Sequence, residues 1–387
     1  MWWTTESLTV TPVGLRLDGV DLVQLAHEHG TPCFVYSARR IRHNLDAIRE
    51  AMPARSLIQY AMKANRSHRV LDVIREYGGV GIDACSPGEV ELALEAGFRP
   101  AEISFNASML SDRDLDAVVA SGVPVILDTL SALRRYRTRV PRETPIELRF
   151  DLVVRAGYTS HLAYGRAKFG FDLGDFKDVL RAAADFEVVG LHIHLGWGLR
   201  EEAAGAVDVA FARLASLARQ VPSLVWVNVG GGLGARYRGA DRPLSLSRWS
   251  RALHEHLAPL GVAVVCEPGT AVVSDAGVLL VQVNTVEQRR GVTWVGVDAG
   301  HPVDPCPVFY GIPIEIVHAS CPTGPAAGRY TVVGHINEAS DVWAADVELP
   351  EVGEGDILAL LPAGAYAASM ASNHCLRGNY AEVLIDP

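Results

Sequence analysis

The chain has 387 residues, 49% of them hydrophobic, and a formal net charge of −10. That length suits a large barrel with an appendage or two to three smaller domains, the negative balance gives a nucleic-acid partner no electrostatic support, and no apolar run approaches the roughly 18 residues of a membrane helix. The six cysteines (Cys33, Cys85, Cys266, Cys306, Cys321, Cys375) are scattered without metal-ligand spacing, and the start, Met-Trp-Trp-Thr-Thr-Glu-Ser, lacks the basic and apolar regions of a signal peptide, so reduced thiols and a cytoplasmic protein are expected.

In chain order, residues 7–20 read as a β segment, 21–29 as a helix ending near Gly30, and 31–37 as a strand. Residues 38–52 form an amphipathic helix with Ile41, Leu45 and Ile48 on one stripe. From Ser56 a strand–helix alternation sets in. Apolar runs fall at 56–62, 80–84, 102–105, 124–127, 146–150, 188–195, 224–229 and 262–266, with helical stretches such as 69–77, 87–96, 111–120 and 206–220 between most of them. That count predicts a (β/α)8 barrel. A doubly wound open sheet competes, but no G-x-G-x-x-G follows the first strand. After Ser274 the helical patterns vanish, and 277–287, 292–298, 330–334, 356–361 and 381–385 look like strands. The expected organisation is an N-terminal segment (1–30) joining a C-terminal all-β domain (275–387), with the barrel at 31–274 between them.

The stretch Ser56-Leu-Ile-Gln-Tyr-Ala-Met-Lys-Ala-Asn65 reads as a buried strand ending on Lys63. Strand C-termini face the active site in such barrels. A lysine there, with an apolar stem behind it, is open to desolvation, which favours the neutral, nucleophilic amine that forms a Schiff base with a carbonyl cofactor. A lysine snorkelling into solvent is the commoner occurrence of the same pattern. Other strand ends carry matching features. Asn228-Val-Gly-Gly-Gly-Leu-Gly234, with Gly231 and Gly232, offers a turn whose backbone can approach an anion. Cys266-Glu-Pro-Gly-Thr270 supplies a second loop. In Leu191-His-Ile-His-Leu-Gly196 the alternation puts His192 and His194 on one side; an H-x-H pair also suggests a metal, but no third ligand stands at a convincing position.

Tyr60-Ala-Met-Lys-Ala-Asn65 resembles the cofactor-lysine motif of the diaminopimelate and ornithine decarboxylase family. The resemblance extends through Gly81-Ile-Asp-Ala-Cys-Ser-Pro-Gly-Glu89, Arg149, Lys168-Phe-Gly170, His192-Ile-His-Leu-Gly196, Gly230-Gly-Gly232, Glu267-Pro-Gly269, Asp298-Ala-Gly300, Tyr310, Gly355-Asp356 and Ala363-Gly-Ala-Tyr366. Their order and spacing match the diaminopimelate branch. The resemblance implies a fold-type III pyridoxal 5'-phosphate enzyme with an alanine-racemase-like barrel and a β domain, working as a head-to-tail homodimer. It implies Lys63 as the Schiff-base lysine and His194 stacked on the ring. Glu267 would hold the ring nitrogen protonated, making the strong electron sink that loss of carbon dioxide requires. Gly231, Gly232, Gly269, Thr270 and Tyr366 would contact the cofactor, with Asp83 and Arg149 close by. Lys168 and Asp341 match positions that pair between subunits in the ornithine branch.

Four departures cluster at the substrate end. Thr270 and Cys306 stand where the family has two arginines for the distal carboxylate of diaminopimelate, and neither replaces a bidentate arginine. Trp197 stands where a small hydroxyl is usual. Asn337 replaces the cysteine that returns a proton to the α-carbon, while Glu338 is retained and could read a substrate amine. An asparagine gives no proton at a useful pKa, so His335, Cys375, Tyr366 or water becomes the candidate donor. The expected substrate contacts are Tyr310, Cys306, Trp197 and Glu338. The expectation from sequence is a decarboxylase of an amino acid, or an intermediate derived from one, other than diaminopimelate. An epimerase or decarboxylative deaminase on the same scaffold, or a non-catalytic carrier of pyridoxal phosphate, are the alternatives.

Overall fold

The computed structural model describes residues 1–154, 156–158 and 167–387. Among these residues eight parallel strands form a barrel: β1 (Ser56–Ala61), β2 (Val80–Ala84), β3 (Ile103–Asn106), β4 (Val125–Leu127), β5 (Pro145–Asp151), β6 (Glu187–Ile193), β7 (Trp226–Asn228) and β8 (Ala263–Cys266), with the two-residue strand Phe171–Asp172 added parallel to the end of β5. The eight are hydrogen-bonded in the cyclic order β1 to β8. β8 returns to β1 through Cys266 opposite Ile58, and β4 meets β5 through Ile126 opposite Glu147. Closure into a barrel excludes the open doubly wound sheet.

Each barrel strand coincides with one of the eight apolar runs, because a strand covered by helices outside and by side chains inside is apolar on both faces. The helices are amphipathic. Ala38–Ala51 turns Ile41, Leu45 and Ile48 inward, and Ser86 and Thr129 cap the helices Pro87–Glu95 and Leu130–Arg137 by accepting backbone N–H bonds.

The second body is built around the 13-residue strand Gly277–Arg289. It pairs antiparallel with Val292–Val297, with Ile357–Leu361 and with Cys33–Ser37. Cys33–Ser37, assigned to the barrel from sequence, therefore lies in the other sheet, where Ala381–Ile385 runs parallel beside it. The reason is its two faces. Phe34 and Tyr36 pack into the cluster shared with the barrel, while Cys33 and Val35 pack on Leu15, Leu17 and Leu22 of the N-terminal segment. That segment forms its own small sheet (Leu8–Thr11, Gly14–Leu17, Val20–Asp21) and is tied on by Leu15 N–H donating to Ala319 O at 2.7 Å.

The two bodies meet beside Lys63. Tyr366 N–H donates to Ala64 O at 2.7 Å, and Asn65 Nδ2 donates to Gly364 O at 3.0 Å. Tyr366 takes a φ of 60°, a left-handed conformation uncommon for an aromatic residue that persists only where the surroundings hold it.

Candidate active site

Seven of the eight strands supply the polar side chains of the C-terminal mouth: Lys63 after β1, Asp83 on β2, Asn106 on β3, Arg149 on β5, His192 on β6, Asn228 on β7 and Glu267 after β8; the buried Asp128 after β4 accepts from Gly170 N–H at 3.4 Å. At the centre is Glu267, 4% exposed. Its Oε1 accepts from Asn228 Nδ2 at 2.7 Å, and its Oε2 lies 3.1 Å from His192 Nε2 and 3.3 Å from Asn106 Nδ2. Asn106 is held in turn by Arg149, which donates to its Oδ1 at 3.1 Å. Burial alone would raise the Glu267 carboxyl; His192, Lys63 and the Asn228 amide outweigh it and hold Glu267 well below the usual carboxylate range. Burial also lowers His192 and keeps it neutral. We therefore take His192 as a neutral N–H donor to Glu267 and Lys63 as the cationic contribution.

Lys63 follows β1 in a single 3-10 turn, Met62–Ala64, its side chain 40% exposed to the mouth of the barrel. Its Nζ lies 3.0 Å from Asp83 Oδ2. The sequence led us to expect a desolvated, neutral amine. Burial does push Lys63 down, but Asp83, Cys85, Tyr366 and Glu267 together hold it well above the ordinary lysine value, as an ammonium. The correction has a simple cause: the apolar stem is there, but β2 places a carboxylate against its end. Asp83 itself is raised by burial and by Glu267, against the pull of Lys63; the 3.0 Å contact keeps the two as an ion pair.

His194 accepts from Gly231 N–H on Nδ1 at 3.2 Å, which leaves its proton on Nε2. Burial, Arg149 and Lys63 push it well below the ordinary histidine value, so the ring is neutral. The glycine turn is a packing requirement. A Cβ on Gly231 would lie 2.2 Å from Glu267 O, and one on Gly232 would lie 2.5 Å from Gly196 O. At Gly269 a Cβ would lie 2.9 Å from Ala64 Cβ.

Trp197 donates from Nε1 to Thr270 Oγ1 at 2.8 Å. Its indole is stacked 5.6 Å from Tyr310 and meets Tyr158, Tyr237 and Tyr366 at their edges or tilted. Cys306 is buried in the same cluster, and burial pushes its thiol far up. Thus Trp197, Thr270, Tyr310, Cys306 and Tyr366 do form one wall beside the lysine loop.

The loop residues His335, Asn337 and Glu338 are elsewhere. Glu338 meets His374 at 3.2 Å, and His335 Nδ1 meets Arg377 at 3.2 Å; among the described residues neither contacts Lys63. Asp341 is 3% exposed and turned inward, taking the backbone N–H groups of His301 at 2.8 Å and Ile336 at 3.0 Å. The carboxylate expected to pair with Lys168 of a second subunit is instead used to shape its own loop. Asn106 and Asn228 were not singled out from sequence. Their signal was position: each is the last residue of a barrel strand.

Residues 38–274 match the model of the pyridoxal-dependent decarboxylase, pyridoxal binding domain. This chain belongs to the pyridoxal-dependent decarboxylase family. It is 35% identical to the diaminopimelate decarboxylase of Methanothermobacter thermautotrophicus, over 96% of this chain and 90% of that one. It is 33% identical to the diaminopimelate decarboxylase of Pseudomonas aeruginosa, over 96% and 92% of the two chains. The crystal structure of diaminopimelate decarboxylase from Helicobacter pylori complexed with L-lysine superposes with a TM-score of 0.86 at 27% identity, covering 94% of this chain and 93% of that one.

The decarboxylase uses pyridoxal 5'-phosphate, and its residues fit that group. An amine stands at one side of the mouth, an ionised carboxylate at its base, a neutral imidazole beside a glycine turn, and Asp83 Oδ1 is buried with no hydrogen-bond partner of its own. The non-catalytic reading does not survive, since the relatives are decarboxylases. Nor does the expectation of a substrate other than diaminopimelate: relatives at 33–35% identity over nearly the whole chain carry that activity's name. The inference rested on two absent arginines alone; in the structure Thr270, at the position of one of them, accepts the Trp197 indole N–H.

Proposed function

We propose that this decarboxylase acts on diaminopimelate, releasing one carboxylate as carbon dioxide and leaving lysine. The observation that carries this reading is the near full-length likeness to relatives named for that activity. Pyridoxal phosphate, when bound, would supply the electron sink for the bond that breaks. Lys63 would hold it by its amine, Glu267, kept ionised, would face its ring nitrogen, and neutral His194 would lie against the ring without adding a charge. Gly231, Gly232, Gly269, Thr270 and Tyr366 would hold its phosphate, while Asp83 and Arg149 fix Lys63 and Asn106 respectively.

The distal end of the substrate faces Trp197, Tyr310 and Cys306. The proton returned to the α-carbon does not come from Asn337; the candidate donors are His335, Cys375, Tyr366 and water, and the reading of the substrate amine is assigned to Glu338, contributed by the second subunit of a homodimer. The support is exposure. Phe309 is 68% exposed and Leu376 78% exposed, large apolar side chains that an interface would cover. Six free cysteines suit a reducing compartment, and we place the enzyme in the cytoplasm; among the described residues no helix is long and apolar enough to cross a membrane.

The test is incubation of the cofactor-loaded protein with the meso and LL isomers of diaminopimelate, following carbon dioxide and lysine together. Equimolar release of both supports the reading. Carbon dioxide from another amino acid and none from diaminopimelate overturns it.

A further inference from the structure

The inward faces of β5, β6 and β7 stack in two layers. Register sets Arg149, His192 and Asn228 side by side in the upper layer, and Glu147, Gly190 and Trp226 side by side directly below. The upper layer is the one that holds Glu267. In the lower layer, Trp226 Nε1 donates to Glu147 Oε2 at 2.9 Å. Gly190 makes that pair possible, since a Cβ there would lie 2.3 Å from Trp226 Nε1 and 2.9 Å from Glu147 Cγ. Glu147 is 5% exposed, and its Oε1 is buried without a geometric hydrogen-bond partner. In the layer above, beside Arg149, the Asn228 side chain is within hydrogen-bonding influence of Glu147, and it donates to Glu267 at 2.7 Å. One amide thus stands between two carboxyls. Below lies a cavity of about 520 Å³ at the barrel floor, lined by Glu147, Trp226, Gln59, Ser104, Leu57 and Val265.

We propose that Glu147 is a positioning residue, a neutral carboxyl that supports Asn228 against Glu267 from below and exchanges its proton through the floor cavity. The proposal rests on Glu267 being the cofactor's partner, as read above. A charged Glu147 would compete with Glu267 for the Asn228 amide and would repel it; a neutral one does neither. Burial pushes Glu147 up to about 8, against the Trp226 and Asn228 hydrogen bonds, with the negative charges of Glu267 and Asp83 adding to the rise. The cations in reach are Arg149 in the layer above, next to neutral His192, and Arg139 on the cavity wall, which is already paired with Asp112 and Asp116.

The folded state keeps a proton that the unfolded chain releases near the ordinary glutamate value of about 4.3, so stability falls as pH rises from there through the folded value and is level beyond it. The test is the melting temperature of the holoenzyme, wild type against Glu147→Gln, across that range. The advantage of the glutamine variant is expected to widen with pH and to level off near the value above. In a Glu267→Gln background it should level off at lower pH, because removal of the neighbouring charge eases ionisation. A pH-independent difference, or a plateau that ignores Glu267, overturns the proposal.

Turnover gives the second readout. Glu147→Leu should lower kcat about tenfold, the loss of one hydrogen bond of support, with KM within about twofold, and Glu147→Gln should restore most of kcat. Equal losses in both variants would mean a packing role only. Unchanged turnover in Glu267→Gln would instead remove the reading of Glu267 and leave the melting result for Glu147 standing.

Discussion

Ser369, in the β domain, donates its hydroxyl to the backbone carbonyl oxygen of Lys63 at 2.8 Å and lies 3.1 Å from the carbonyl of Ala64. With Tyr366 N–H on Ala64 O, it fixes the turn that carries the lysine from outside the barrel. Ser369→Ala leaves a partly buried carbonyl without this donor, so about 1 kcal/mol of stability should be lost. Turnover should fall with it, because the loosened turn is the one that aims Lys63. Denaturant midpoints and kcat measured on the same preparation check both, and a stability loss with full turnover would detach this contact from the site.

We propose Lys63 as the attachment point for the cofactor. Borohydride reduction of the holoenzyme followed by peptide mapping should place the reduced cofactor on the peptide containing Lys63 and on no other. Asp83→Asn should lower the pKa of Lys63, because burial then acts without its opposing carboxylate. The pH at which free Lys63 in the apoprotein reacts with an amine-directed reagent should move down in that variant, and no movement would mean that Asp83 does not hold the ammonium.

Glu267→Gln should retain the cofactor and lose turnover by about ten- to a hundredfold, the range for one charge-assisted hydrogen bond. The pH behaviour is fixed by the direction of the shift. A carboxylate held low contributes its stability above the unfolded value and loses it only as pH falls through the folded one, so between about pH 6 and pH 7, below the value at which the neighbouring Glu147 ionises, the defect should be constant. A defect that disappears within that window would mean that Glu267 titrates there and is not the ionised partner.

Trp197 donates its indole N–H to Thr270, the residue that stands where the family resemblance places an arginine. Trp197→Phe keeps the aromatic wall and removes the N–H, a loss of about 0.5–1.5 kcal/mol, or roughly two- to tenfold. If the indole reads the distal end of diaminopimelate, the change should fall on KM with kcat nearly intact. A change in kcat alone would move Trp197 from the substrate end to the cofactor.

The barrel was legible because each of its strands is a bounded apolar run, and Lys63 and Glu267 were legible because each ends such a run. What could not be read were contacts that arise from register. Asn228, His192 and Arg149 share a layer only once β5, β6 and β7 are aligned, and no local pattern states that alignment. Cys33–Ser37 looks like any barrel strand; its place is decided by Gly277–Arg289 and Ala381–Ile385, over two hundred residues away in the chain. Asp341 was misread for a related reason. A carboxylate in a loop suggests a surface charge, and only the folded loop shows it bound to His301 and Ile336. The substrate inference went wrong on a different point, since missing arginines describe which donors are absent and not which others have taken the wall.

The last prediction concerns the second subunit. Glu338 and His335 are separated from Lys63 in a single chain, with contacts to His374 and Arg377 instead. If they complete the site of a partner, the active unit is a dimer with each site drawn from two chains. Lys63→Ala and Glu338→Ala should then each be nearly inactive alone. Mixed after reversible dissociation, half of the dimers formed at random are heterodimers, and each heterodimer holds one site with both residues intact and one with neither. Activity should therefore return to about a quarter of wild type, the value set by a two-fold symmetric pair. If Glu338 serves its own chain, or serves only the fold, every site in the mixture carries one defect and no activity returns. Light scattering on the same samples shows whether dimers have re-formed, so a failure to recover with dimers present would refute shared sites.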